Sequence, residues 1–430
     1  MSVLASMWRL AQDSQMVLHM VCAIGAQHSC YHDRQSHDNT TEHHARRVRA
    51  AEHYGSSLRL LVVAAAADAG GTRELDLILA TLWLMLEYEQ RFGDGCGSGL
   101  SAHLKGAASV LQGRLPKLRD VIEEEHGALV WKEKQGTNPQ TMSDGNDWLI
   151  SDFASRIVVW ISYKDGAAAL NGFGGFFNEL LGEMMADVSD NYATSLVHGF
   201  EALHKRAYRA FSNNWDPKQP QHQLLEDIHS RPLFYLYGNT GQLRFLLSKL
   251  VAMREENSSA FESSCRDIVR ILNAITDRYI EFIDVAHTLD LESSGAHRTF
   301  VINVRTICAH YHATVLCYSR IVKSGAPLDS RQRAALSRIM NIGYQTCADE
   351  GEPAVAKLAW PLFVAALESD DALHRTWIMD RYESLCKQGE NYRRAYAALK
   401  AAFSLQRYHE RRIDLLDLLW NTSRLNRFLI

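Results

Sequence analysis

Residues 75–113 read LDLILATLWLMLEYEQRFGDGCGSGLSAHLKGAASVLQG, and the rest of the chain has to be arranged around them. Leu75, Ile78, Leu79, Leu82 and Leu86 recur at helical spacing, while Leu77, Trp83, Met85 and Tyr88 fill the other faces. A helix that is apolar almost all round is buried on every side. Asp76 and Glu87 interrupt this one and it is shorter than a membrane span, so it reads as the central helix of a soluble bundle. Gly93, Gly95, Gly97 and Gly99 end it, because glycine accepts the positive φ angles of such a corner. Beyond the corner, Leu100, Leu104, Ala107, Ala108 and Leu111 form one face of a second helix.

Composition sets the frame for this pair. The chain has 430 residues, 47% hydrophobic and 22% charged, which is a globular balance, and only eight prolines. Strand-like alternation is scarce, so the expected fold is all-α: a large multi-helix bundle with a buried central helix. Residues 1–430 read as one large helical domain with a variable middle, about 176–330, and a polar loop, about 132–147. A formal charge of −4 gives no overall attraction to nucleic acid, so direct DNA binding by this chain is not expected. The eight cysteines are scattered, with no C-x-x-C pair and no zinc-finger spacing, and free thiols are the simple reading. The opening MSVLASMWRLAQDSQM lacks a basic stretch followed by an apolar one, and nothing reads as a transmembrane helix. The expected location is therefore nuclear or cytoplasmic, not secreted and not in a membrane.

In chain order, residues 4–31 read as a helical opening with a break at Asp13-Ser14-Gln15, and Tyr31–His44 as an exposed histidine-rich loop. Arg46–Ala67 resumes as a helix with Ala51, Tyr54, Leu58, Leu61 and Val62 facing inward. Ala154–Gly175 is a helix with Ile157, Val158, Ile161 and Ala167 in the core, ended by glycines. Further helices are expected around 195–212, 241–254, 261–286 and 299–323, with breaks at Trp215-Asp216-Pro217 and Asp290–Gly295. The aromatic run Ser230–Gly238 reads as a lining for internal space. Pro361, inside the apolar run Trp360-Pro361-Leu362-Phe363, is expected to kink its helix.

Several of these runs together resemble the fungal-specific transcription factor domain, the all-helical regulatory part of zinc-cluster transcription factors. The runs are Leu86-Glu87-Tyr88-Glu89 with His103-Leu104-x-Gly106-Ala107, then Ser155-Arg156 with Trp160, Tyr163 and Asp165, then Trp360-Pro361-Leu362-Phe363-x-Ala365 followed by Glu368, Arg375 and Trp377. Leu100 stands where the family often has Trp, and Ala366 where it often has Gly. No six-cysteine cluster, the family's DNA-reading part, precedes these runs. The resemblance implies a regulatory domain that senses a small molecule or contacts a partner. The expected partners are a small apolar ligand, a second copy of the chain, or the transcription machinery.

Several chemistry-bearing residues stand out against this background. Glu87, Glu89, His103 and Asp165 could meet as an acid–base set, with Glu87 and His103 touching across the glycine corner. The competing reading is that buried polar groups satisfy one another. His28 and His32, four apart, could seed a zinc site, but a hydrophilic helix end running into a loop explains them, and no metal or cofactor is expected. The Gly93–Gly99 corner follows a helix and lacks the lysine of a phosphate-binding loop. Trp83, Tyr88, Trp160, Trp360 and Phe363 are the expected ligand-binding positions, around an apolar cavity bordered by the central helix and the Pro361 helix. The leading function is a transcription-regulator-like effector domain without its own DNA-binding module. The alternatives are an enzyme of a fungal natural-product pathway, performing an isomerisation or cyclisation, and a chain whose zinc cluster lies upstream of Met1.

Overall fold

The structure, a computed structural model, describes residues 3–32, 40–67, 71–113, 151–185, 192–209, 221–254, 259–292, 294–323, 326–409, 418–419 and 427–430. The expected polar loop at 132–147 and the break at Trp215-Asp216-Pro217 lie outside the described residues. Within them are sixteen α-helices and no strand. They are α1 (Val3–Asp13), α2 (Gln15–His32), α3 (Thr40–Ala66), α4 (Thr72–Phe92), α5 (Ser98–Gln112), α6 (Asp152–Leu170), α7 (Phe176–Met185) and α8 (Tyr192–Arg209). The series continues with α9 (Gln221–Met253), α10 (Ser259–Arg278), α11 (Ile280–Val285), α12 (Arg298–Val322), α13 (Ser330–Glu350), α14 (Ala359–Glu368), α15 (Ala372–Leu385) and α16 (Glu390–His409).

The helices pack in a closed circuit. α4 lies against α2, α5 and α6; α6 lies against α9; α9 against α12; α12 against α14; α14 against α16; and α16 returns to α4. The return contact satisfies the end of α4, whose last carbonyls have no partner within the helix. Asn391 donates to the Glu89 and Gln90 carbonyls at 3.1 and 2.6 Å, and Arg394 donates to the Gly93 carbonyl at 2.8 Å. The Arg427 backbone N–H reaches the Gly95 carbonyl at 2.8 Å. Leu75 and Ile78–Leu86 of α4 are buried, as its all-round apolar pattern demands. Every residue of α14 is buried as well. No helix of the described residues is long and apolar enough to cross a membrane.

Three local expectations change. Pro361 does not kink α14: a 3₁₀ turn, Glu352–Leu358, runs into the helix at Ala359, so the proline falls in the first α-helical turn. Its missing N–H would have had no partner there anyway. The proline inside a helix is Pro232, and the aromatic run around it is continuous with the helix expected at 241–254, in the 33-residue α9. In α3, which begins at Thr40, Tyr54 and Leu61 face inward as expected, but the stripe is completed by Ala50 and Ser57 rather than by Ala51 and Leu58. Ser57 fixes that phase by donating to the Met16 carbonyl at 2.8 Å. Ala51, Leu58 and Val62 are exposed as a result.

Candidate functional site

The glycine corner does bring an acid and a base together, but the acid is Glu89. Tyr54 donates to Glu89 Oε1 at 2.8 Å, and its hydroxyl also meets Nε2 of buried His103. Glu87 lies two residues earlier, about 200° away around a helix. It faces α6 instead, where its carboxylate pairs with Lys164 at 2.8 Å. Burial pushes His103 down to about 4, so it is neutral at pH 7. Burial also raises Glu89, against the hydrogen bond from Tyr54. Tyr88 packs between Tyr54 and Phe92, tilted against the first and edge-on to the second, at ring separations of 4.9 and 5.4 Å. These contacts tie α3 and α5 to the end of α4.

Asp165 sits apart from that corner. It accepts from the Gly175 N–H at 2.7 Å and from the Asn178 backbone and side-chain N–H groups at 2.9 Å each. Asn178 in turn accepts from Ser162 and Gln242, at 2.6 and 3.1 Å. Gly175 makes the turn with φ of +100°, which only glycine takes readily. Burial pushes Asp165 up to about 6, against the Asn178 and Gly175 hydrogen bonds that favour the carboxylate. The three catalytic candidates Glu87, His103 and Asp165 therefore stand in three separate networks.

Trp160, Trp360 and Phe363, by contrast, belong to one assembly, with members that pattern reading missed. Tyr163 and Tyr237 stack at 3.7 Å where α6 crosses α9, and Trp160 lies 5.6 Å from the Tyr237 ring. On the inner side is Arg244, 2% exposed, with its guanidinium carbon 5.6 Å from the Tyr163 ring centre and 5.2 Å from that of Trp360. Trp360 stacks on Phe363 at 6.1 Å. Arg244 Nη2 donates to His310 Nδ1 at 2.9 Å, and His310 Nε2 donates to the Lys357 carbonyl at 3.0 Å. Burial and the neighbouring guanidinium push His310 down to about 3, so its Nδ1 stays an acceptor. Arg244 Nε and Trp360 Nε1 are buried with no acceptor among the described residues.

Space in this assembly is small. Trp160, Tyr163, His204, Phe234, Tyr237 and Gly238 border a cavity of about 10 Å³, the size of one water. Larger clefts, about 300 and 270 Å³, flank α10 at the surface beside Tyr318 and beside Asn239. Trp83 is buried in α4 and is not in ring contact with this assembly. The expected cavity between α4 and the Pro361 helix is displaced accordingly: the aromatic residues converge among α6, α9, α12 and α14. Arg244 and His310 carried one signal in the sequence. Each is a polar residue in the middle of an apolar helical run, Leu243–Leu247 and Ile307–Leu316.

No group of three or more potential metal ligands gathers among the described residues. None of the eight cysteines forms a disulfide.

The helix circuit and its polar-aromatic interior define an all-α multi-helix protein. The chain belongs to the fungal specific transcription factor domain family, whose sequence profile matches residues 6–163 and 181–421. The matched residues include Tyr163, Tyr237, Arg244, His310 and Trp360. No curated protein and no solved structure matches the chain.

Proposed function

We propose that this chain is the effector part of a fungal transcription regulator, acting as one domain that senses a small molecule or contacts a partner without reading DNA itself. The observation that carries the reading is the family match along nearly the whole chain. The helix circuit supports the mechanism, since a ligand or partner that prefers one packing of the ring shifts the population toward it. A net charge of −4 supports recruitment to DNA through another module or chain rather than direct binding. The alternative of a natural-product enzyme gains nothing from Glu87, His103 and Asp165, because each is engaged in joining helices. Tethering the chain to a heterologous DNA-binding module upstream of a reporter tests the proposal in a fungal host. Reporter output several-fold above or below that of the module alone is expected. Output equal to the module alone, with the fusion present at normal levels, would overturn it.

A further inference from the structure

Three arginines are buried in the helix circuit: Arg244, Arg305 and Arg320. Arg320 forms a two-pronged pair with Glu368, and Arg305 meets Asp349 at 2.6 Å. Among the described residues, Arg244 alone of the three has no carboxylate against it. The other acids of the interior are engaged, Glu87 by Lys164 and Asp165 by Asn178 and Gly175. A buried guanidinium without a counter-ion is costly, because aromatic faces and one imidazole replace only part of its hydration. His310 takes one of its five N–H groups. The adjoining Trp360 N–H is likewise buried without an acceptor. A positive charge and unmatched donors, walled by Trp360, Tyr163 and Phe363, make a chemistry complementary to a flat anion.

We propose that Arg244, held in place by His310 and flanked by Trp360, binds the carboxylate of a small aromatic acid. The guanidinium fork matches a carboxylate in shape and charge, and the Trp360 N–H adds a third donor. The aromatic walls receive the ring. The stacked Tyr163–Tyr237 pair closes this centre toward the small cavity beside Trp160, so the ligand enters when those rings part. Binding then favours the arrangement of α6 and α9 in which the stack is open. This assignment rests on the effector reading above and names the ligand class for it.

The test uses the purified full chain and benzoate as probe. Its neutral isostere benzamide and sodium chloride at matched ionic strength serve as comparisons, and thermal unfolding is the readout. Benzoate is expected to raise Tm saturably, while benzamide and chloride do not. Arg244→Met is expected to raise the half-saturating benzoate concentration by about tenfold or more, the worth of a charge-assisted pair. An equal shift with chloride would reveal an adventitious anion site only. Equal shifts with benzamide, an unchanged response in Arg244→Met, or no saturable response in the wild type would also overturn the assignment. If Arg244→Met does not fold, the wild-type comparison of benzoate with benzamide and chloride decides alone. A working tethered reporter without benzoate binding removes this ligand and leaves the effector role. Benzoate binding with a silent reporter does the reverse.

Discussion

Asp165 shows how one residue couples local geometry to the stability of the molecule. Its ordinary pKa of 3.8 rises to about 6 on folding, so the folded state holds the proton more tightly than the unfolded one. The contribution of this group is fully present below about pH 4 and is lost as pH climbs through about 6. The loss is of order 3 kcal/mol. In urea unfolding, the stability gap between wild type and Asp165→Asn is therefore expected to shrink between pH 4 and pH 7. A gap that stays constant or widens would mean that the Gly175 and Asn178 N–H groups outweigh burial. The sequence marked Asp165 and His103 as polar groups within packed helices, and that much was legible. Which acid faced His103 was not, because two residues along a helix reverse direction and the corner geometry chose Glu89. Arg244 could be seen only as a charge in an apolar run, since its lack of a carboxylate partner depends on four helices converging.

Among the elements, the crossing of α6 and α9 controls the aromatic assembly. Gly166 faces the Gly241 backbone there: a Cβ at Gly166 would run into the Gly241 carbonyl oxygen, with its carbon at 3.3 Å. A Cβ at Gly241 would come within 2.7 Å of the Tyr163 ring. Gly166→Ala is thus expected to push two backbones apart and to cost about 1–3 kcal/mol of stability. Gly25→Ala is the control, because Gly25 lies within α2 with nothing near its missing Cβ, and alanine there gains about 0.5–1 kcal/mol. Urea unfolding of both variants checks the pair, and equal effects would contradict the close-crossing account. Helix existence was legible here from apolar periodicity, as α4, α6 and α12 show. Phase and continuity were less so. In α3 apolar residues point both inward and to the surface, so Ala51 and Leu58 looked as eligible for burial as Ala50 and Ser57. In α9 the proline hid a continuous helix that its neighbours hold in place.

For the whole molecule, the closed circuit from α4 through α6, α9, α12, α14 and α16 is the route by which the proposed binding would be felt elsewhere. The Arg244 centre is touched by four of those six helices, through Tyr163, Tyr237, His310 and Trp360. Parting the Tyr163–Tyr237 stack would loosen the α6–α9 crossing, because one ring stands on each helix. The family match told the class of the protein, while the circuit and the buried guanidinium of Arg244 without a carboxylate lay beyond any reading of periodicity. The most direct measurement is amide hydrogen exchange, followed by mass spectrometry, across α6 and α9 in saturating benzoate and in equal benzamide. The account predicts altered protection in residues 152–170 and 221–253 with benzoate alone, and no such change in Arg244→Met. Identical exchange in both helices with and without benzoate would contradict it.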